Sequence, residues 1–340
     1  MLKNKKFLNK ITLGDALKIL LELEDNSVDI VLTDPPYFLD KLDNNWNYQK
    51  VNNRKNTWIV KSLPAGMKFD KQQGMAFYDW YSKVADRIFR VLKPGGFFSF
   101  SSPRLYHRMA SAVDDAGFNI RDCLMWLYTQ NQAKAMGLNH FIKKRNISKE
   151  AKNDLIQKLD GWKTPQLKSC FEPIMMAQKP AEKTFLENMI NYEVGLININ
   201  AKTGDNMFPS NVLATEKINN ILDRCFLVAK PKKDEKGFFN DHQTVKPLSL
   251  CEHLLRLTSF SKNSVVLDPF LGSGTTAVAA KKLGLNYIGI DINQEYTRIA
   301  EQRLADIEAD ANIFEKGKEQ NFTLLKQSNI FGLMPCYSKV

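Results

Sequence analysis

Short apolar, β-branched runs ending in turn residues recur along this chain, with helical patterns between them, and few folds accommodate that order. VDIVLTD, SVVLDPF and NYIGIDI are apolar almost continuously rather than alternately. Strands covered on both faces of a parallel sheet read this way. Candidate strands are Lys10–Asp15, Val28–Asp34, Gly96–Ser102, Ile120–Tyr128, Glu172–Gln178, Ser264–Phe270 and Asn286–Ile292. Helical spacing covers Gly74–Leu92, Pro247–Thr258, Thr275–Leu283 and Gln294–Ile307. The first of these stops at Lys93-Pro94-Gly95-Gly96 and the third at Gly284, as helices commonly do. The expectation is an α/β fold with a doubly wound, mostly parallel sheet of seven strands.

Three stretches break the alternation. Residues 39–73 are polar and aromatic, 131–169 carry Lys143-Lys144-Arg145, and 181–240 end in the basic run Lys230, Lys232, Lys233. They read as insertions on one domain spanning 1–340, whose core takes about 10–38, 74–130, 170–180 and 241–309. A polar tail follows.

The 340 residues hold 48 Lys and Arg against 37 Asp and Glu, a net charge of +11 that favours a polyanionic partner. No apolar run reaches the ~20 residues of a membrane span. The basic N-terminus lacks the apolar stretch of a secretory signal. The expectation is a soluble cytoplasmic protein without membrane association. Cys123, Cys170, Cys225, Cys251 and Cys336 form no CxxC pair, and the four histidines form no HxxxH pair, so neither a protein-bound metal nor a disulfide framework is expected.

Two segments carry chemistry. In NSVVLDPFLGSGTTAVAAKKLGLNYIGIDIN a strand leads into Asp268-Pro269-Phe270-Leu271-Gly272-Ser273-Gly274, a helix starts at Thr275, and a second strand ends at Asp291. The glycines allow a tight turn and close approach of backbone to ligand, and the helix start offers unpaired N–H groups. Asp291 follows Gly272 by 19 residues, where a carboxylate can accept from both ribose hydroxyls. Taken alone, Gly272-x-Gly274-x-x-Ala277 also fits a nicotinamide-dependent oxidoreductase. The second segment, SVDIVLTDPPY, is a buried strand with Asp34-Pro35-Pro36-Tyr37 at its carboxyl end. Two prolines make a stiff loop that presents carbonyls. Asp34 and the Pro35 carbonyl can each accept one N–H of an exocyclic amine while Tyr37 stacks on its ring. An oxidoreductase leaves that loop without a task.

DPPY with DPFLGSGTT resembles the motif pair of S-adenosylmethionine-dependent DNA amino-methyltransferases, and the order, DPPY first, is similar to their β group. Thr12-Leu13-Gly14-Asp15-Ala16-Leu17 resembles the family's GDxL element. Val91-Leu92-Lys93-Pro94-Gly95-Gly96 resembles its LKPGG turn. Cys170-Phe171-Glu172-Pro173-Ile174 looks like its HEPI strand, with Cys-Phe where Ala-His is usual. His242-Gln243-Thr244-Val245-Lys246-Pro247 is similar to its HPTxKP segment, with Gln243 in place of Pro. The resemblance covers most of residues 10–308 and implies a Rossmann-like methyltransferase sheet. It implies catalysis by Asp34, Pro35, Pro36 and Tyr37. It also implies that S-adenosylmethionine binds at Asp15, Asp268, Phe270, Gly272, Ser273, Gly274, Thr275, Asp291, Thr244 and Lys246, leaving as S-adenosylhomocysteine. Asp15 would face the adenine, and Thr244 and Lys246 would close over the methionine end.

The implied reaction is transfer to the N6 amine of a flipped-out adenine in double-stranded DNA, because a stacked amine is out of reach. Cytosine-N4 transfer has the same chemistry, though family members acting on cytosine more often carry Ser where Asp34 stands. RNA or protein glutamine as substrate, and a nucleic-acid-binding protein without activity, are the other readings. Trp46, Arg54 and Lys55, with Asn47, Tyr48 and Trp58, suit phosphate contacts and the filling of a vacated base stack. Lys143, Lys144 and Arg145 suit phosphates too, or form a solvated helix face. Target recognition is expected in 131–169 or 181–240. A second copy of the chain and a cognate restriction endonuclease are partners that one sequence leaves open.

Overall fold

A computed structural model of the chain describes residues 4–36, 71–102, 105–127, 135–164, 167, 170–201, 208–214, 226–227, 245–305 and 307. Its strands are β1 (Lys10–Leu13), β2 (Val28–Thr33), β3 (Leu92–Ser101), β4 (Asn119–Leu127), β5 (Phe171–Gln178), β6 (Val212–Ala214), β7 (Phe226–Leu227), β8 (Val265–Asp268) and β9 (Asn286–Asp291). They form one sheet in the order β1-β9-β8-β2-β3-β5-β4-β6-β7. Neighbours pair in parallel throughout, except that β5 runs antiparallel to both β3 and β4. All seven expected strands are present. Among the described residues the sheet has nine rather than seven, because β6 and β7 extend it from within the 181–240 stretch that reads as an insertion.

The helices are α1 (Ala16–Glu22), α2 (Lys71–Val91), α3 (Tyr106–Asp115), α4 (Asn139–Lys143), α5 (Lys149–Lys158), α6 (Phe185–Tyr192), α7 (Leu248–Thr258), α8 (Thr275–Lys282) and α9 (Gln294–Ala305). All six residues of β2 and all four of β8 are buried, which explains their unbroken apolar sequence. Alternate residues point to opposite faces of a strand. Val31 and Leu267 therefore join α1, α2 and α3 in one core cluster, and Ile30, Leu32 and Val266 join α7 and α8 in another. Each large side chain fully buried contributes about 1.5–3 kcal/mol relative to exposure, so these two layers hold the sheet. Doubly wound is thus the observed architecture.

The Lys93–Gly96 turn lies inside β3: Val28 pairs with Leu92, Ile30 with Phe97, and the four residues between bulge out. A Cβ on Gly95 (φ +78°) would sit 2.3 Å from Asn188 Nδ2, so the turn needs glycine there. The segment 136–164 closes on itself. Gly137 bridges Lys163, and Thr164 N donates to Met136 O at 3.0 Å. Helix α5 within it buries none of its residues.

Candidate active site

The described candidate side chains converge on one edge of the sheet. Parallel strands end together, so Leu13 ending β1 with Asp15 just after it, Asp291 ending β9, Asp268 ending β8, Asp34 after β2 and Ser101 ending β3 form a row in sheet order. Glu172 reaches the same edge from the antiparallel β5, two residues before the Ile174 that pairs with Ser101. Carboxyl-end crevices of open α/β sheets are where such folds bind ligands.

The glycine loop is held from three sides. Gly272 N donates to Asp291 Oδ2 at 2.7 Å. Phe270 N donates to Asp268 Oδ1 at 3.1 Å. Arg303 of α9, buried behind the loop, donates to Ser273 O at 2.7 Å and to Thr275 Oγ1 at 3.1 Å. Gly272 and Gly274 adopt φ of 54° and 88°, and a Cβ at Gly274 would meet Ala300 Cβ at 2.6 Å. Glycine is therefore needed at 274 both for the turn and for the contact between α8 and α9.

Asp291 also accepts from Asn293 N at 2.8 Å, and burial raises its carboxyl to about 6 against the pull of these N–H donors. Leu13 and Ile292, beside it in register and in sequence, are 50% and 53% exposed, apolar surface at the strand ends next to the carboxylate. Asp15 caps α1, accepting from Leu17 N at 2.8 Å, and the neighbouring Gly14 N donates to Asp291 O at 2.8 Å. Asp268 is buried, which pushes its carboxyl up to about 7 despite a 2.6 Å bond from Thr33 Oγ1. That bond joins the glycine loop to the Asp-Pro-Pro loop one strand away. Trp80 of α2 packs on Phe270 with ring centroids 5.5 Å apart.

Asp34 does not stand alone. Lys246 Nζ donates to Asp34 Oδ2 and lies 2.9 Å from Glu172 Oε1, which also accepts from Ser101 Oγ. Lys246, read from sequence as a cofactor residue, is therefore placed against the Asp-Pro-Pro loop. Tyr37, Thr244, Trp46, Arg54 and Lys55 lie outside the described residues. Lys143, Lys144 and Arg145 end α4 and follow it, and are exposed, in the self-closed 136–164 segment that joins the end of β4 to the start of β5. Sequence reasoning missed Ser101, Arg303 and the role of Glu172. Only the quoted Glu172-Pro173-Ile174 gave any local signal.

Fold and site together define a doubly wound α/β enzyme whose nucleoside-type glycine loop adjoins an Asp-Pro-Pro loop. The chain belongs to the DNA methylase family, whose model matches residues 28–302. It is a DNA methyltransferase. It is 29% identical over 321 residues to the type II methyltransferase M.HindIII of Haemophilus influenzae, covering 90% of this chain and 98% of that protein. It is 27% identical over 326 residues to the type II methyltransferase M.BglII of Bacillus subtilis, covering 95% of this chain and 74% of that protein. Among solved structures, PvuII DNA methyltransferase, described as cytosine-N4-specific, shares the fold with a TM-score of 0.53 at 17% identity, over 90% of this chain and 91% of that one. No helix among the described residues is long and apolar enough to cross a membrane.

Proposed function

We propose that this chain transfers a methyl group to N6 of adenine in double-stranded DNA, with S-adenosylmethionine bound at the β8–α8 loop and the target amine at Asp34. The observation that carries the reading is the adjacency of two loops: the Asp268–Gly274 loop and the Asp-Pro-Pro loop share one sheet edge and are bonded through Thr33 and Asp268. The residues fit the cofactor. Gly272, Gly274 and the start of α8 supply close backbone approach, Asp291 supplies a carboxylate for the ribose hydroxyls, and Leu13 and Ile292 flank the place of the base.

When bound, the cofactor supplies a sulfonium methyl. The chain's task is to make a poor nucleophile attack it. Lone-pair delocalisation weakens the exocyclic amine. Asp34 Oδ and the Pro35 carbonyl each accept an N–H, which draws the nitrogen toward a tetrahedral shape and localises the pair. The bound cofactor would give its methyl carbon to the amine nitrogen held at Asp34, with the carbon–sulfur electron pair staying on sulfur. One N–H proton leaves through Asp34 to water. Orientation and fixed charges supply the rate, and no covalent enzyme intermediate is needed. To Tyr37 we assign stacking on the flipped base, and to Thr244 a role at the methionine end of the cofactor, both on the family resemblance of their motifs.

DNA is gripped by Trp46, Arg54 and Lys55 of the 39–73 stretch and by Lys143, Lys144 and Arg145, with bases read from 131–169 or 181–240. The names of the relatives support a place beside a cognate restriction endonuclease in the bacterial cytoplasm. Methylating duplex DNA with labelled cofactor and digesting it to nucleosides tests the reading. Label is expected in N6-methyldeoxyadenosine. Label in N4-methyldeoxycytidine would overturn the base while keeping the mechanism, and label in 5-methylcytosine would overturn both.

A further inference from the structure

We propose that Glu172 and Ser101 are positioning residues for methyl transfer, acting on the carboxylate of Asp34 through the ammonium of Lys246. The inference rests on the amine-transfer reading above and adds to it the residues that hold its acceptor in place.

Four side chains from four separate segments meet in one line. Ser101 Oγ donates to Glu172 Oε1, Glu172 Oε1 lies 2.9 Å from Lys246 Nζ, and Lys246 Nζ donates to Asp34 Oδ2. The three charged side chains are each four-fifths or more buried. Taking charges out of water costs several kcal/mol per ion, and apolar residues in such places commonly leave a protein as stable or more so. Stability alone therefore does not account for three buried charges on a reactive edge.

Geometry does account for them. Asp34 lies beyond the end of β2, where the ladder no longer fixes it, yet its oxygen must meet an amine N–H with an error of a few tenths of an ångström. A Lys246 N–H on Oδ2 fixes the plane of the carboxylate. Two oxygens offer about four lone-pair sites, so a further N–H can be accepted beside it. Lysine, a point charge on a four-carbon stem, needs an anchor of its own. Glu172 is that anchor, and Ser101 orients Glu172.

Glu172 has a second effect. An ammonium held by Asp34 alone would act as a competing donor, occupying and neutralising the acceptor that the target amine needs. Placed between two carboxylates, the ammonium is shared, and the row Asp34–Lys246–Glu172 retains a net charge of −1. The acceptor strength of Asp34 is preserved.

The test is a double-mutant cycle on the full chain, measuring single-turnover methyl transfer to duplex DNA and, separately, cofactor affinity. Glu172→Gln is expected to slow transfer by about 10–100-fold, the usual cost of losing a partner that orients a reacting group, with cofactor affinity kept within about twofold. In a Lys246→Met background the same change is expected to cost less than about twofold, because its effect runs through the ammonium. An equal cost in both backgrounds, or weakened cofactor binding with an unchanged transfer step, overturns the assignment. Should Glu172→Gln not fold, as judged by circular dichroism, Ser101→Ala decides: slower transfer supports the relay and an unchanged rate overturns it. Wild-type protein that transfers no methyl to DNA would overturn the underlying reading. Active wild type with an equally active Glu172→Gln would overturn this inference alone.

Discussion

Asp34 and Asp291 both stand at the end of a strand, and their surroundings divide the work between them. Asp291 is tied to Gly272 N and Asn293 N beside the glycine loop, whereas Asp34 is tied to an ammonium beside the proline loop. Asp34→Ala is expected to abolish methyl transfer while leaving cofactor affinity nearly unchanged. Asp291→Ala is expected chiefly to weaken cofactor binding, by roughly 1–3 kcal/mol for a lost charge-assisted contact. Equal loss of cofactor binding in both, measured by calorimetry, would refute this division. Burial raises Asp291 to about 6, and only its charged form accepts from two hydroxyls, so cofactor affinity should rise from pH 5 to pH 7. Asp291→Asn should flatten that rise. The same upward shift has a stability consequence. A carboxyl raised in the folded state favours folding while protonated, and that contribution is lost as pH climbs through the raised value. Asp268, at about 7, should therefore make the ligand-free protein less resistant to urea at pH 8 than at pH 5, and Asp268→Asn should shrink the difference.

At the scale of elements, the β8–α8–β9 unit is held together by close backbone approach. Gly274 sits at φ +88° with Ala300 Cβ 2.6 Å from where its own Cβ would be. Gly274→Ala adds strain of about 1–3 kcal/mol for the left-handed backbone and about 1–3 kcal/mol for overpacking against α9. A lower Tm and weaker cofactor binding should appear together, and an unchanged Tm would show that the loop is looser than described. This unit was legible in the sequence because its strands are unbroken apolar runs and its glycines stand at fixed offsets. Strands β6 and β7 were not, because three and two residues are too few to show a period. Helix α6 carried a readable sign, the Thr184–Glu187 capping box, that its position in an apparent insertion concealed. In the site, the aspartates could be read from local motifs. The Ser101–Glu172–Lys246–Asp34 row could not, since its members are joined only by folding, across separations of 71 and 212 residues for its outer bonds.

For the whole molecule, the charge is divided. The chain carries +11, yet the reactive edge lines up Asp15, Asp291, Asp268, Asp34 and Glu172, with Lys246 set among them. An acidic edge suits a cationic sulfonium and repels phosphates, so the DNA backbone has to be held by cations elsewhere while one base is swung in. The exposed Lys143, Lys144 and Arg145 are the candidates for that grip: their segment joins the end of β4 to the start of β5, both at the carboxyl edge, and closes on itself there. Each phosphate contact releases condensed counterions and adds about 0.9 to the slope of log affinity against log salt. DNA affinity measured by fluorescence anisotropy should therefore fall steeply with salt, and cofactor affinity should hardly change. Replacing Lys143, Lys144 and Arg145 together by Ala should reduce the slope by roughly 2–3 if all three meet phosphates. The transfer rate at saturating DNA should stay at its wild-type level, because none of the three touches the row that holds Asp34. An unchanged slope would reduce these cations to a solvated helix end and move the phosphate grip to the 39–73 stretch, where Arg54 and Lys55 become the next pair to replace.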